Sequence, residues 1–264
     1  MNKSFLEFEN ENDKLLFTHL DRYYFQQFQK PGGTRMIELI VKGFCPSQCE
    51  YCYLQKHLKD LYPPVIDKND KILENLKLFL KWYGESNFCC PIELFSGRLF
   101  QSDGFGLIVL DTIFDYFKNL PEDKRPNSII IPDDFQFLLD DKLTQEIEDR
   151  MDKFIMDLNM PILFSISVDG FYCDEHRFGK RTQDFYDKVF YFMYKYDIIS
   201  HNMISAENVR DWNKGNYQWW IDHMGKNAFG MHNSSLETRE DHWNKESILE
   251  FVKLLNDSIE FEFQ

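Results

Sequence analysis

Three cysteines fall within one short stretch, Cys45-Pro-Ser-Gln-Cys49-Glu-Tyr-Cys52, directly after the apolar string MIELIVKG. Thiolates at that spacing in a loop can turn toward one point and ligate a soft metal. A structural zinc site asks for four closed ligands, and no fourth Cys or His follows Cys52 at the usual short spacing; His57 is the nearest candidate. Three ligands on a cluster leave one metal open, which suits an iron–sulfur centre that binds a small molecule directly. Cys89 and Cys90, side by side at the start of a strand, read as small buried fillers. Cys173 sits in a loop with His176 and Arg177, a thiol able to approach a substrate beside two groups suited to an anion.

Four further strings carry polar groups where a strand should end. ILFSISVDG sets Phe164, Ile166 and Val168 on one face and Ser165, Ser167 and Asp169 on the other. Polar residues in an ordinary core would be unsatisfied. The row therefore faces a ligand, or else the strand is a half-exposed edge. IELFSGR ends in Ser96, Gly97 and Arg98, and HNMISAEN carries Ile204 as either a ligand-packing or a plain core residue. Pro132-Asp133-Asp134 places two carboxylates that cap the next turn or face substrate; capping is the favoured reading.

These groups need elements to hold them. Apolar strand patterns cover 36–43, 92–97, 128–133, 162–169, 200–205 and, less regularly, 228–233. Helical spacing runs from Ile72 to Tyr83 with Gly84 as a C-terminal stop. It recurs over 107–120, 143–158, 185–196, 212–224 and 248–259, so Trp219 and Trp220 read as core. Six strand–helix units imply a parallel sheet with right-handed crossovers, as a doubly wound sheet or an incompletely closed barrel. Residues 1–33 read as a helical preface ending at Pro31-Gly32-Gly33, and 34–264 as the α/β unit.

The cysteine spacing, with Tyr51 just before the last thiol, resembles the signature of the radical S-adenosylmethionine (radical SAM) superfamily. SISVDG and NMIS are similar to segments of its peptide- and protein-modifying branch, which includes the anaerobic sulfatase-maturating enzymes. The resemblance implies a partial (βα)6 TIM-like barrel and a 4Fe-4S cluster held by Cys45, Cys49 and Cys52, whose open iron chelates S-adenosyl-L-methionine. It further implies reductive cleavage of that cofactor to a 5'-deoxyadenosyl radical that takes hydrogen from a substrate, a peptide or protein on this reading. The implied cofactor contacts are Tyr51 in the cluster loop, the Ser96-Gly97 backbone at the amino group, Ser167 and Asp169 at the methionine and ribose parts, and Ile204 at adenine. The implied partner is a reductant such as flavodoxin or ferredoxin. Two departures are visible. Arg98 stands where the family carries a Glu, and a guanidinium repels the cofactor's ammonium. No cysteine cluster follows Cys173, so the auxiliary-cluster extension (SPASM) of that branch has no counterpart. Both features also suit a non-catalytic iron–sulfur or metal-binding protein on a degenerate barrel, and the compact length suits chemistry on a nucleotide-like metabolite.

Composition narrows the classes. A hydrophobic fraction of 43% with 26 Phe and 13 Tyr in 264 residues supplies a full core and argues against native disorder. Thirty basic against 44 acidic residues give a net charge of −14, which repels phosphate backbones and anionic lipid. Nucleic acid and membrane are thus not expected partners. The polar start MNKSFLEFENENDK and the few, clustered thiols read as a cytoplasmic, reducing setting in which cysteines serve metals rather than bridges.

Overall fold

The structure, a computed structural model, describes residues 36–42, 47, 49, 69–86, 89–96, 98–177, 179, 181–196, 198–224, 232–236 and 243–262. The expected preface over 1–33 lies outside these residues. Six strands are described: β1 (Ile37–Lys42), β2 (Ile92–Ser96), β3 (Ile129–Asp133), β4 (Ile162–Ile166), β5 (Ile199–Ile204) and β6 (His232–Leu236). Between and after them come α1 (Asn69–Glu85), α2 (Phe105–Phe117), α3 (Asp141–Leu158), α4 (Gln183–Tyr196), α5 (Tyr217–Met224) and α6 (Lys245–Glu262).

Every neighbouring pair is parallel and the spatial order is β1-β2-β3-β4-β5-β6. A doubly wound sheet reverses its order at a switch point so that helices cover both faces. A consecutive order with right-handed crossovers keeps the helices on one face instead, an arrangement compatible with a partial α/β barrel. Burial follows this logic. Ile92, Leu94, Ile129, Ile131, Ile162, Phe164 and Ile166 are buried, while Ile40 and Leu163, at alternate positions, are 48% and 39% exposed. One face is packed and the other is open.

Much of the packed layer is aromatic. Phe164 of β4 meets Phe100, Phe135, Phe137 and Phe192 at centroid distances of 5.3 to 6.0 Å, joining β4 to α4 and to two strand-end loops. Helix α3 shows how sequence sets an element's ends. The Asp140 carboxylate accepts from the Lys142 and Leu143 amides, Ile147, Met151, Phe154 and Leu158 form the buried stripe, and Asn159 closes the helix at φ 53°. A cap of that kind contributes about 1 kcal/mol.

Two expectations are corrected. Gly84 lies inside α1 rather than after it: a Cβ there would come within 2.8 Å of Leu120 Cδ1, so the glycine serves close helix packing. The sixth strand is described over His232–Leu236, and residues 228–231 of its expected span lie outside the described residues. Cys89 is exposed rather than buried, and Cys90 is half-buried with its carbonyl accepting the Tyr83 hydroxyl at 2.7 Å. Among the described residues no helix is long and apolar enough to cross a membrane.

Candidate functional site at the carboxyl ends of the strands

Parallel strands deliver their following loops to one edge of the sheet, and three such loops meet here. Ser47 follows β1, Arg98 follows β2 and Asp134 follows β3. The Arg98 Nε donates to Asp134 Oδ1 and Oδ2 at 3.1 and 3.2 Å, and Nη2 donates to Oδ2 at 2.5 Å. Nη2 also donates to Ser47 Oγ at 2.5 Å, and that hydroxyl donates to Asp134 Oδ2 at 2.8 Å. Ser47 and Asp134 are buried, at 6% and 5% exposure. Ser47 is the middle residue of the Cys45–Cys49 spacer, so the spacer is fastened to the ends of β2 and β3.

The Asp133-Asp134 pair caps the turn, as favoured from sequence. Asp133 Oδ1 accepts the Phe135 amide at 2.8 Å and Asp134 Oδ1 the Gln136 amide at 3.3 Å, while Phe135 takes φ 59°. Asp134 does more than cap, since its charge is shared with Arg98. The expected repulsion between Arg98 and a cationic ligand is thereby tempered: the guanidinium is turned to a carboxylate. Asp133 Oδ2 is buried without a partner, and burial first and the neighbouring Asp134 charge second push this carboxyl well above its ordinary range.

The end of β4 is organised differently. Ser165 is 8% exposed and Ser167 half-buried, both on the open-face side of the strand, with the Ser167 amide donating to the Asp133 carbonyl at 2.7 Å. Asp169 is fully buried. Its carboxylate takes both prongs of Arg177, at 3.0 and 2.8 Å, and the Met203 amide at 2.7 Å. Its carbonyl accepts from Asn216 Nδ2 at 2.6 Å and Trp220 Nε1 at 2.9 Å. Any ribose hydroxyl would compete with Arg177 for Asp169, and an anion would compete with Asp169 for Arg177. His176 is likewise engaged, 3.1 Å from the Asp211 carboxylate. Asp174 completes the brace: it accepts the Asp169 amide at 2.7 Å and the Tyr186 hydroxyl at 2.8 Å. Burial and then the Asp169 charge push its pKa up to about 8.

Ile204 shares its strand face with Ser200, the register partner of Ile166. That is the helix-covered face, and Ile204 is a core residue at 5% exposure; the open-face residue beside it is Met203. Cys173 is fully buried, its Sγ 3.9 Å from the Asn208 carbonyl, with burial pushing its thiol upward. It does not reach toward a substrate. Cys49 is half-buried and Ser96 is the last residue of β2. Cys45, Tyr51, Cys52 and Gly97 lie outside the described residues, and among the described residues no group of three His, Cys, Asp or Glu is placed to hold a metal ion.

Sequence reasoning missed the amide brace of Asn202, Asn208 and Asn216, all 1% exposed or less. Asn202 Nδ2 donates to the Val168 carbonyl at 2.7 Å. Ser205 and Asn208 cap each other's amides, at 3.4 and 2.8 Å, before the helical turn Val209–Asp211. A Ser and an Asn three apart ahead of a helix is a readable capping signal; the buried amides of Asn202 and Asn216 left none. No protein-family model matches the chain, and none of the curated proteins matches it.

Proposed function

We propose that the chain is a radical SAM enzyme of the partial-barrel type. The observation that carries the reading is the C-x3-C-x2-C loop with Tyr51, whose spacer residue Ser47 is fastened over the carboxyl ends of a consecutively ordered parallel sheet. Loops at that edge carry the chemistry in α/β barrels. The donor set fits a soft iron–sulfur cluster: three thiols in one loop, with Cys45, Cys49 and Cys52 as the ligands and one coordination site left open. Bound there, the cluster and S-adenosylmethionine supply one-electron cleavage of the sulfonium and, through it, hydrogen abstraction from a substrate, a peptide or protein on this reading.

The chain's own residues position and shield. Arg98 and Asp134 hold the cysteine spacer, and Ser167 lies on the open-face side at the end of β4. The Asp169–Arg177 brace fixes the loop after β4, and a flavodoxin or ferredoxin delivers the electron. The engagement of Asp169 with Arg177 favours a second reading, an iron–sulfur protein without turnover. One experiment separates the two. The chain is reconstituted anaerobically with iron and sulfide, reduced with dithionite and given S-adenosylmethionine, and 5'-deoxyadenosine is followed by chromatography. The enzyme reading expects 5'-deoxyadenosine and a brown chromophore lost in Cys49→Ala. A chromophore without 5'-deoxyadenosine establishes the second reading, and no thiol-dependent chromophore overturns both.

A further inference from the structure

Two carboxylates on the open face of the sheet lack a counter-charge among the described residues. Glu38 of β1 and Glu93 of β2 are register partners, so their side chains leave the sheet on the same side, about 5 Å apart at the backbone. Ile92 and Leu94, which flank Glu93, are fully buried on the helix side; Glu93 therefore points to the open one. The next residues across that face are aliphatic. Ile130 is the register partner of Glu93, and Leu163, 39% exposed, is the partner of Ile130. Among the described residues Glu93, 9% exposed, has no hydrogen-bond or ion-pair partner, and the exposed Glu38 beside it has none either.

A buried carboxylate without a partner is costly, and the cost is removed by a cation that brings its own hydrogen-bond donors. Burial first and Glu38 second raise the Glu93 pKa to about 7, the response of an acid that lacks such a cation. Two carboxylates side by side at the edge of an aliphatic surface complement a basic group on an apolar stem. We propose that Glu38 and Glu93 bind an alkylammonium or alkylguanidinium group of a ligand whose aliphatic stem runs along Ile40 toward the carboxyl ends of the strands, with Ile130 flanking the basic group. From Glu93 to Ser96 is three residues, about 10 Å of strand. A basic group seated at Glu93 therefore leaves the far end of an extended ligand at the edge where Ser47 and Arg98 sit. The net charge of −14 gathers cations from solution in the same sense. That the bound cation is a substrate rests on the enzyme reading above; the binding itself does not.

The test uses the full chain as isolated, without a cluster. Butylguanidine is titrated calorimetrically at about pH 8.5, above the raised Glu93 value, with pentanamide as the uncharged control. Saturable binding of the guanidine alone is expected, weakened about tenfold or more in Glu93→Gln and in Glu38→Gln. As a readout that needs no variant, carbodiimide coupling of glycine ethyl ester to Glu93 in the wild-type chain should be slowed by butylguanidine. Absence of binding, equal binding by pentanamide, equal binding by the Gln variants, or coupling at Glu93 indifferent to butylguanidine each overturns the site. A chain that binds butylguanidine yet yields no 5'-deoxyadenosine keeps the site and loses the enzyme reading; the converse loses the site alone.

Discussion

Arg98 and Asp134 form a largely buried ion pair, Nη2 to Oδ2 at 2.5 Å, with side-chain exposures of 17% and 7%. Removing the guanidinium leaves Asp134 buried and charged. Arg98→Ala should therefore cost about 3 kcal/mol in urea unfolding. Arg98→Lys keeps the charge but not the two-pronged donor, so it should fall between. Arg98→Glu sets a second carboxylate against Asp134 and should destabilise more than alanine does. An Arg98→Ala chain as stable as the wild type would remove the role of this pair in holding the cysteine spacer.

Gly170 sits at φ +110°, directly after the braced Asp169. A Cβ there would lie 2.6 Å from Asn216 Oδ1 and 2.7 Å from Trp220 Nε1, the two side chains that bond the Asp169 carbonyl. Gly170→Ala combines backbone strain of about 1–3 kcal/mol with that clash. Denaturant unfolding should show a loss at or beyond the upper figure, and the fluorescence of Trp220 should change with it.

Asp174 makes stability depend on pH. A carboxyl whose folded pKa is raised, here from 3.8 to about 8, keeps a proton in the fold that the unfolded chain releases. Its stabilising contribution is complete below the unfolded value and is lost as pH rises toward the folded one. Glu93 and Asp133, also raised, act in the same direction. Thermal melts of the wild-type chain should fall between about pH 4 and pH 8, and Asp174→Asn should flatten part of that slope. Parallel slopes would show that Asp174 titrates normally.

The described thiols should differ sharply in reactivity. Cys89 is exposed, whereas Cys173 is fully buried beside Asp169 and Asp174, where the thiolate is disfavoured. Brief iodoacetamide treatment followed by mass spectrometry should find label on Cys89 and none on Cys173 until the chain is unfolded. Early labelling of Cys173 would mean that the loop after β4 opens readily.

The strands were legible because burial on one face writes itself as alternation. Ile129, Ile131 and Asp133 against Ile130 and Pro132 is such a case, and β1 to β5 began within one residue of expectation. The cysteine spacing stands out in the sequence because ligation of one metal centre asks for a fixed local spacing, although Cys45 and Cys52 lie outside the described residues. The partners of those residues were not. Arg98 looked like a misplaced charge because its neutralising carboxylate is 36 residues away, on the next strand's loop. Asp169 looked like an open ligand because nothing local announces that Arg177 and the Met203 amide will close over it. The two-residue strand period gave the serines their face; only the register of β5 against β4 showed that Met203, rather than Ile204, shares it.

The consecutive strand order also constrains the route by which the chain assembles. No two neighbouring strands can be zipped by a tight hairpin; each pairing must wait for a helical crossover to close, an entropic loop cost met before any ladder contact returns it. Ser47 reaches Arg98 across 51 residues and Asp134 across 87. Ser47 therefore gains its anchor only after the first three strands have docked, which places the ordering of the loop after β1 late in folding, on a half-sheet already in register.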